Sequence, residues 1–256
     1  MQAEVNAPPD WQSIDFISDL HLAAETPRTF EAWADYMQRT PADAVFILGD
    51  LFEVWVGDDT RFEGFEERCA EVLTKATQQR SVFFMVGNRD FLVGTEMLAA
   101  CGVTPLADPC LLTAFGERVL LTHGDELCVA DVEYQKFRAM VRNPAWQAKA
   151  LGQPLDVRRH MGREVRSQSE MRKHGTTSPA DWVDIDLAMA TAWLHAGNAP
   201  TLIHGHTHRP GSEPLGAAGT RHVLSDWDMD HALHRAEVFR FTSAGMARLP
   251  LHDALT

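Results

Sequence analysis

The sequence predicts an α/β fold in which short buried strands alternate with amphipathic helices. Apolar runs at 44–48 and 81–86 are each followed by a glycine and then by a polar residue. Continuous apolar runs of this length are typical of strands that are covered on both faces of a layered sheet. Helical periodicity separates these runs, which indicates crossover helices that connect neighbouring strands.

The first half of the chain follows this order regularly. Residues 1–12 contain two adjacent prolines and are expected to form a loose leader. A helix is predicted over 27–39, with Thr26 as its N-cap and Pro27 as its first residue. The other elements expected in this half are strands at 14–18, 44–48 and 81–86 and a helix at 63–79.

The second half is interrupted by a long polar segment. A strand pair is predicted at 110–114 and 117–122, joined at Phe115 and Gly116. Residues 129–178 are Arg-rich and helix-forming, without a strand pattern. The simplest organisation is one α/β core, formed by 13–128 and 179–256, with 129–178 as a helical insertion. The remaining expected elements are a helix at 184–196, a strand at 201–204 and β-like segments at 220–225, 235–241 and 246–251.

The composition limits the classes of function. The chain has 256 residues, of which 45% are hydrophobic, and its 23 Lys and Arg residues against 36 Asp and Glu residues give a formal charge of -13. A protein that binds nucleic acid without sequence preference needs a basic face, so no nucleic-acid partner is expected. A small anionic substrate remains possible, because bound metal ions reverse the local field.

Compartment signals point to the cytoplasm. The four cysteines show no Cys-x-x-Cys spacing, which favours free thiols in a reducing compartment. The N-terminus has neither the basic nor the apolar region of a secretory signal. No apolar stretch approaches the ~18 residues of a membrane-spanning helix, so any membrane contact is expected to be peripheral.

Five polar segments each follow a predicted strand and carry possible metal ligands. Functional groups in α/β sheets collect at the carboxyl ends of the strands, so these segments are expected to converge. Side chains two residues apart on an extended segment point the same way, which lets Asp19 and His21 reach one ion, and likewise His206 and His208. The segments are Ser18-Asp19-Leu20-His21, Gly49-Asp50, Gly87-Asn88-Arg89-Asp90, His123-Gly124-Asp125 and Gly205-His206-Thr207-His208.

Each position also has an ordinary structural explanation. Asp50 and Asn88 follow glycines and could be turn residues or helix caps, and His123 could be a buried imidazole with a hydrogen-bond partner. His206 and His208 are harder to explain in this way, because buried imidazoles at a strand end are costly without a partner. The joint pattern favours a metal site, and a mixed His, Asp and Asn set suits manganese, iron or zinc.

In this order, Asp-x-His, Gly-Asp, Gly-Asn-x-Asp, His-Gly-Asp and Gly-His-x-His resemble the motifs of the calcineurin-like metallophosphoesterases, over residues 15–210. The resemblance implies a four-layer α/β/β/α sandwich with a helical cap. It also implies two divalent metal ions, with Mn²⁺ as the implied metal and Asp50 bridging the two. The implied ligands are Asp19, His21, Asp50 and His208 for one ion and Asp50, Asn88, His123 and His206 for the other.

One departure from the broad family narrows the resemblance. Its members commonly have Gly-Asn-His-Asp, whereas Arg89 occupies the place of that histidine here. The stretches 49–59, 87–92, 122–128 and 204–210 are similar to those of members that cleave the pyrophosphate of a UDP-linked diacylglucosamine in lipid A biosynthesis. Such members release UMP and 2,3-diacylglucosamine 1-phosphate through a hydroxide activated by two metals. The implied catalytic residues are Asp50, Asn88, Arg89 and His206.

The insertion at 129–178 is the expected substrate lid. Its mixture of apolar and basic side chains suits a pair of helices that covers acyl chains and touches anionic headgroups at the cytoplasmic face of the inner membrane. An ordinary helical hairpin with a solvated basic face is the alternative. The substrate contacts that the resemblance implies are Asn88, Arg89, Asp131, Tyr134, Phe137, Arg138, Ser169, Lys173 and His206.

Other functions predict different sequence features. Another calcineurin-like enzyme, such as a nucleotide-sugar pyrophosphatase, would share the ligands but not Arg89 and its flanking residues. A scaffold that had lost its chemistry should show gaps among the ligands, and none of the seven is missing. A zinc-structured binding module would favour cysteine-rich sites, which the sequence lacks. The expected partners are therefore a UDP-linked diacylglucosamine lipid and the inner-membrane surface, and protein partners are left unknown by the sequence.

Overall fold

The computed structural model describes residues 3–174 and 183–256, except for the side chains of residues 168–174. The strands in chain order are β1 (Ala3–Asn6), β2 (Ser13–Ile17), β3 (Ala44–Leu48), β4 (Ser81–Met85), β5 (Thr104–Leu106), β6 (Cys110–Ala114), β7 (Glu117–Thr122), β8 (Thr201–His204), β9 (Gly211–Pro214), β10 (Thr220–Val223), β11 (Glu237–Thr242) and β12 (Gly245–Pro250). The α-helices are α1 (Pro27–Arg39), α2 (Gly64–Thr77), α3 (Thr95–Ala100), α4 (Val132–Val141), α5 (Pro144–Leu151), α6 (Leu155–His174) and α7 (Leu187–Gly197).

Two mixed six-stranded sheets form the centre of the molecule. One has the strand order β1-β6-β7-β8-β10-β9, and the other has the order β12-β11-β2-β3-β4-β5. Strands β2 to β5 run parallel, as do β7 and β8. Because parallel strands end at the same edge, the loops after β2, β3 and β4 are neighbours, and so are those after β7 and β8.

Three apolar clusters define four layers. The cluster between the sheets contains Phe16 and Phe46 from one sheet and Leu121 and Ile203 from the other. A second cluster packs α1, α2 and α3 against the outer face of the β2–β5 sheet, and a third packs α7 against the other sheet. The four-layer α/β/β/α arrangement expected from the sequence is confirmed.

Most of the predicted elements are present within one to three residues. The helix at 27–39, the strand at 44–48 and the hairpin at 110–122 have the predicted bounds. Phe115 and Gly116 both have positive φ, as the two-residue turn of a tight hairpin requires. Helix α3 and strands β5 and β9 were not predicted, because segments of three to six residues carry too little periodicity.

The expectation of a loose leader at 1–12 is wrong for Ala3–Asn6, whereas residues 7–12 form neither a helix nor a strand. Residues Ala3–Asn6 form β1, which pairs in parallel with β6. Val5 packs on the cluster between the sheets. The hydrogen-bonding partner lies more than 100 residues away, so the local sequence does not contain the signal for this edge strand.

The N-terminus of α1 also differs from the prediction. Thr26 occupies the N-cap position, but its side chain makes no capping hydrogen bond and instead exchanges hydrogen bonds with Ala23. The carboxylate of Asp230 accepts from the backbone N–H groups of Arg28 and Thr29 at 3.1 and 3.0 Å. A residue from a distant loop therefore satisfies the free donors of this helix.

In its described residues, 129–174, the insertion contains the three helices α4, α5 and α6 rather than a pair. Arg158 of α6 is buried, donates to the carbonyl of Val56 and pairs with Asp59, which ties the insertion to the loop after β3. None of the helices in the described ranges is both long enough and apolar enough to cross a membrane. All four cysteines are free and buried.

Candidate metal centre

The structure brings all seven predicted ligand residues to the carboxyl ends of β2, β3, β4, β7 and β8. These ends belong to two different sheets, so the site lies at the edge where the two central layers meet. Each ligand comes within one to four residues of the end of its strand. The centre is therefore built by rigid strands and short loops, an arrangement that holds ligand geometry tightly.

The first ligand group consists of Asp19, His21 and His208. Possible ligand atoms of these three residues all lie within 4.8 Å of one another. His208 Nε2 is 3.3 Å from Asp19 Oδ1 and 3.2 Å from His21 Nε2. Asp50 Oδ2 lies 3.9 Å from His21 Nε2, so this carboxylate faces the same group.

The second group surrounds the other oxygen of Asp50. His123 Nε2 lies 3.7 Å from Asp50 Oδ1 and 2.9 Å from Asn88 Oδ1. Asn88 Oδ1 is also 2.7 Å from His206 Nδ1. The two oxygens of Asp50 therefore face different sets of candidate ligands, which places this carboxylate where it could contact two ions.

Three of the histidines have an acceptor from outside the centre within 3.5 Å of their second ring nitrogen. His21 Nδ1 lies 3.0 Å from Glu53 Oε2, His208 Nδ1 lies 3.5 Å from Asp226 Oδ2, and His123 Nδ1 lies 2.9 Å from the carbonyl oxygen of Leu48. A hydrogen on Nδ1 leaves Nε2 as a lone-pair acceptor that faces the other ligands. Acceptors that converge in this way fit a cation between them, and outer acceptors of this kind accompany most metal-binding histidines.

The electrostatics of the protein groups agree with a cation site. Burial would lower the pKa of His123, but the carboxylates of Asp50 and Asp19 outweigh it and raise this pKa to about 9. Burial and the neighbouring His123 lower the pKa of His206 to about 4, which keeps that imidazole neutral. The field that favours a proton on His123 favours a divalent cation more strongly. The residues present therefore fit a pair of divalent metal ions, and Asp19 Oδ1, buried without a hydrogen-bond donor, adds a ligand oxygen.

The backbone is strained at this centre. Among the described residues, seven that are not glycine have a positive φ, and five of them are Asp19, His21, Asp50, His206 and His208. A positive φ costs a residue with a Cβ about 1–3 kcal/mol and persists only where the surroundings enforce it. The positive φ values turn both members of the pairs Asp19/His21 and His206/His208 toward the centre. The sequence had predicted an extended backbone for these pairs, and that prediction is wrong.

Gly205 allows two strand ends to approach each other closely. A methyl group at Gly205 would overlap Ser18 Oγ and Asp19 Oδ2. The same carboxylate oxygen accepts a hydrogen bond from the N–H of His206 at 2.9 Å. Glycine at this position is therefore needed to hold Asp19 against the loop that carries His206 and His208.

Replacing Gly205 with alanine is expected to displace Asp19. The overlap should lower the free energy of unfolding by about 1–3 kcal/mol, the usual cost of overpacking. It should also weaken Mn²⁺ binding, measured by calorimetric titration beside urea unfolding. Gly211→Ala is the matched control, because its added methyl group meets nothing closer than 3.9 Å. Equal Mn²⁺ affinity of both variants would contradict this role.

Arg89 is buried beside the centre, with 7% of its surface exposed. Its backbone N–H donates to Asp50 Oδ1 at 2.8 Å, and its Nη1 donates to Glu53 Oε1 at 3.0 Å. A surface ion pair with Asp90, the ordinary structural explanation for an arginine beside an aspartate, does not match the structure, because both side chains are buried. Asp90 is fully buried and accepts hydrogen bonds from the N–H groups of Gly87 and Leu51. These bonds connect the loop after β4 to the loop after β3.

The predicted substrate contacts on α4 are only partly directed at the centre. Asp131 caps α4 by accepting from the N–H of Tyr134 at 3.0 Å. The Tyr134 hydroxyl and Arg138 Nε both donate to the buried carboxylate of Asp125, and the Tyr134 ring lies 5.8 Å from that of His206. Burial and Asp125 raise the pKa of Tyr134, so its hydroxyl remains a donor. The polar atoms of Tyr134 and Arg138 thus connect the insertion to the loop after β7, which carries His123 and Asp125.

Phe137 faces an apolar groove rather than the ligands. Its ring lies 6.3 Å from that of Phe91. The groove has a volume of about 560 Å³, open side included, and runs between the insertion and the loop after β3. Its wall includes Arg89, Glu53, Val54, Phe137, Trp146 and Val165. Ser169 and Lys173 belong to α6, but their side chains lie outside the described part of the structure.

Sequence reasoning missed three acidic residues that serve the centre. Glu53 and Asp226 face the outer nitrogens of His21 and His208, and Asp125 anchors α4. Asp226 follows a predicted strand, which is the same signal that identified Asp50. Glu53 had no such signal, because its role depends on the path of the loop after β3.

The comparisons with known proteins agree with this geometry. The sequence profile of the calcineurin-like phosphoesterase family matches residues 13–210. The chain is 45% identical to the UDP-2,3-diacylglucosamine hydrolase of Chromobacterium violaceum over 84% of this chain and 90% of that protein. It is 43% identical to the enzyme of the same name from Chromohalobacter salexigens, over 82% and 87% of the two chains. It is 38% identical to the enzyme of the same name from Stenotrophomonas maltophilia, over 91% of this chain and 98% of that protein.

The fold, the ligand centre and the profile match together define a metal-dependent phosphoesterase, and the chain belongs to the calcineurin-like phosphoesterase family. Family membership implies divalent metal ions as cofactors. Within the family, its relatives at 38–45% identity are UDP-2,3-diacylglucosamine hydrolases. The family predicted from the five motifs is confirmed.

Proposed function

We propose that this protein hydrolyses the pyrophosphate bond of UDP-2,3-diacylglucosamine, releasing UMP and 2,3-diacylglucosamine 1-phosphate in lipid A biosynthesis. The observation that carries the proposal is the position of Arg89. Its backbone contacts Asp50 in the ligand centre, and its side chain lines the apolar groove. A substrate with a pyrophosphate next to acyl chains needs both environments side by side.

We infer that two Mn²⁺ ions occupy the centre. Asp19, His21, Asp50 and His208 would hold one ion, and Asp50, Asn88, His123 and His206 would hold the other. When bound, the pair would polarise the phosphoryl group and lower the pKa of water to give a nucleophile. The mixed nitrogen and oxygen ligands suit Mn²⁺, and the protein fixes them through Glu53, Asp226 and Leu48.

Arg89 stabilises charge rather than transferring a proton. A guanidinium keeps its proton near neutral pH and offers paired donors that match a phosphoryl oxygen. Asn88 and His206 lie on the same side of the centre and position the pyrophosphate with it. The leaving sugar phosphate is a weak base, so it departs without a general acid in the place of Arg89.

We propose that 13–128 and 179–256 form the catalytic core and that 129–178 is the substrate lid. The groove between them supports this assignment, because its wall is apolar and combines side chains from both parts. Phe91 of the core meets Phe137 and Trp146 of the insertion at ring distances of 6.3 and 6.1 Å. In this proposal the acyl chains lie in the groove, and Asp131 contacts the polar part of the substrate.

Truncating Trp146 tests the groove. The Trp146→Ala variant should raise KM for substrate with long acyl chains by roughly tenfold, since burying a large apolar group contributes about 1.5–3 kcal/mol. Substrate with short acyl chains should be little affected. Met140→Ala is the control, because Met140 lies on α4 with 46% of its surface exposed. If the Trp146→Ala substitution raised KM equally for the long-chain and the short-chain substrate, acyl binding in the groove would be contradicted.

The reaction itself is tested by product analysis in ¹⁸O-labelled water. Wild-type protein with Mn²⁺ should convert UDP-2,3-diacylglucosamine to UMP and 2,3-diacylglucosamine 1-phosphate, with the label in UMP. This position of the label follows from in-line attack on the UMP-side phosphorus. Faster turnover of a simple nucleotide sugar or an aromatic phosphodiester would contradict the proposed substrate and indicate another phosphoesterase of the family.

We propose that the protein works at the cytoplasmic face of the inner membrane as a peripheral protein. The lipid substrate and the basic residues of the insertion support this location. Co-sedimentation with anionic vesicles should exceed that with neutral vesicles and should fall as salt is added. Equal sedimentation with both vesicle types would contradict an electrostatic attachment.

A further inference from the structure

Glu53 lies outside the set of ligands but contacts residues with different functions. It follows β3 in the loop that also carries Asp50, and 13% of its side chain is exposed. Its Oε2 lies 3.0 Å from His21 Nδ1, and its Oε1 lies 3.0 Å from Arg89 Nη1. One carboxylate therefore faces a metal-ligand histidine with one oxygen and the phosphate-binding arginine with the other.

The insertion reaches the same carboxylate. Arg166 of α6 places its Nε 3.5 Å from Glu53 Oε1. Glu53 also lines the apolar groove beside Arg89. The side chain of Glu53 thus contacts the ligand centre, the groove and helix α6 of the insertion.

We infer that Glu53 is a positioning residue that couples the metal site to Arg89. With Oε2, Glu53 keeps the hydrogen of His21 on Nδ1, so that Nε2 presents its lone pair to the ion. With Oε1, it holds the guanidinium of Arg89 in a fixed direction toward the bound pyrophosphate. The part concerning Arg89 depends on the proposed function, whereas the part concerning His21 needs only the metal.

The geometry also explains why a carboxylate is needed at this position. Arg89 Nη1 donates to Glu53 Oε1, and the 3.0 Å between Glu53 Oε2 and His21 Nδ1 favours a hydrogen on that ring nitrogen, so both oxygens of Glu53 face donors. A glutamine has one oxygen and one NH₂ group, and it can satisfy only one of the two neighbours. Glu53→Gln keeps the size of the side chain, but it breaks one contact outright and removes the negative charge that strengthens the other, so both roles of Glu53 should weaken.

The first measurement is Mn²⁺ affinity, by calorimetric titration of the full-length protein without substrate. Glu53→Gln should bind Mn²⁺ roughly 10- to 100-fold more weakly than the wild type, the usual effect of losing an outer partner of a ligand histidine. Glu63→Gln is the matched control, because Glu63 pairs with Arg159 at 2.9 Å on an exposed surface. The control should bind Mn²⁺ like the wild type, and thermal unfolding should show that both variants are folded.

The second measurement separates the role in positioning Arg89 from the metal effect. At saturating Mn²⁺, Glu53→Gln should still reduce kcat/KM for UDP-2,3-diacylglucosamine by roughly tenfold. In an Arg89→Ala background the same substitution should cost less than twofold, because there is no guanidinium left to direct. Residues that act through each other show such non-additivity.

Two results would overturn the inference. Wild-type Mn²⁺ affinity in a folded Glu53→Gln variant would remove the role toward His21. Full additivity of Glu53→Gln and Arg89→Ala at saturating Mn²⁺ would remove the role toward Arg89. Failure of the wild type to hydrolyse UDP-2,3-diacylglucosamine would count against the proposed function alone, since the metal titration does not use that substrate.

Discussion

Asp50→Asn is expected to lower turnover about a thousandfold and to reduce the bound Mn²⁺ from two ions to one. The two oxygens of Asp50 face different ligand groups, and an amide can offer only one oxygen. Losing one of two metals removes several kcal/mol of charge stabilisation in the transition state, and ~1.4 kcal/mol corresponds to tenfold in rate. Steady-state kinetics and metal analysis by mass spectrometry measure both effects.

The matched control for this substitution is Asp35→Asn. Asp35 is half exposed and pairs with Arg39 on the surface of α1, so its charge should matter little for the reaction. The control should keep two Mn²⁺ ions and wild-type turnover. If Asp50→Asn also retained two ions and turned over within tenfold of the wild type, a bridging role for this carboxylate would be excluded.

Arg89→Ala should reduce kcat/KM by about 10²- to 10³-fold, the effect of removing one strong donor to transition-state charge. The metals should stay bound, because the link from residue 89 to Asp50 is a backbone N–H that alanine keeps. Arg89→Lys should recover only part of the activity, since an ammonium lacks the paired donors of a guanidinium. Kinetics at saturating Mn²⁺, with metal analysis in parallel, distinguish this pattern from loss of the metal.

Arg39→Ala serves as the control for charge removal, because more than half of the Arg39 side chain is exposed. Its kinetics should match those of the wild type. An Arg89→Ala enzyme with full metal content and unchanged kcat/KM would show that Arg89 has no part in the reaction, and the narrower resemblance would then lose its distinguishing residue.

The elements that could be predicted from the sequence are those determined by the pattern of neighbouring residues. Strand β3 and helix α1 have patterns that extend over five and thirteen residues, and both were located correctly. The convergence of the candidate ligand residues could also be predicted, because each follows a strand and the strands end at a common edge. The positive φ values of Asp19 and His21 were not foreseen, since an extended geometry explained the same pairing.

Features that depend on contacts between residues far apart in the chain could not be predicted from the sequence. Strand β1 needs β6 for its hydrogen bonds, and the N-terminus of α1 is capped by Asp230 from a loop about 200 residues away. The role of Glu53 requires the loop after β3 to place it between His21 and Arg89. Such contacts arise from the tertiary arrangement, and no local pattern of residue types encodes them.

Anomalous X-ray scattering from crystals grown with Mn²⁺ tests the central claim most directly. The arrangement of the seven side chains predicts two peaks about 3.5–4 Å apart, the usual spacing of paired catalytic metals, with Asp50 in contact with both. His21 and His208 should flank one peak, and Asn88, His123 and His206 should flank the other. A single peak, or a pair of peaks that Asp50 does not bridge, would contradict the account.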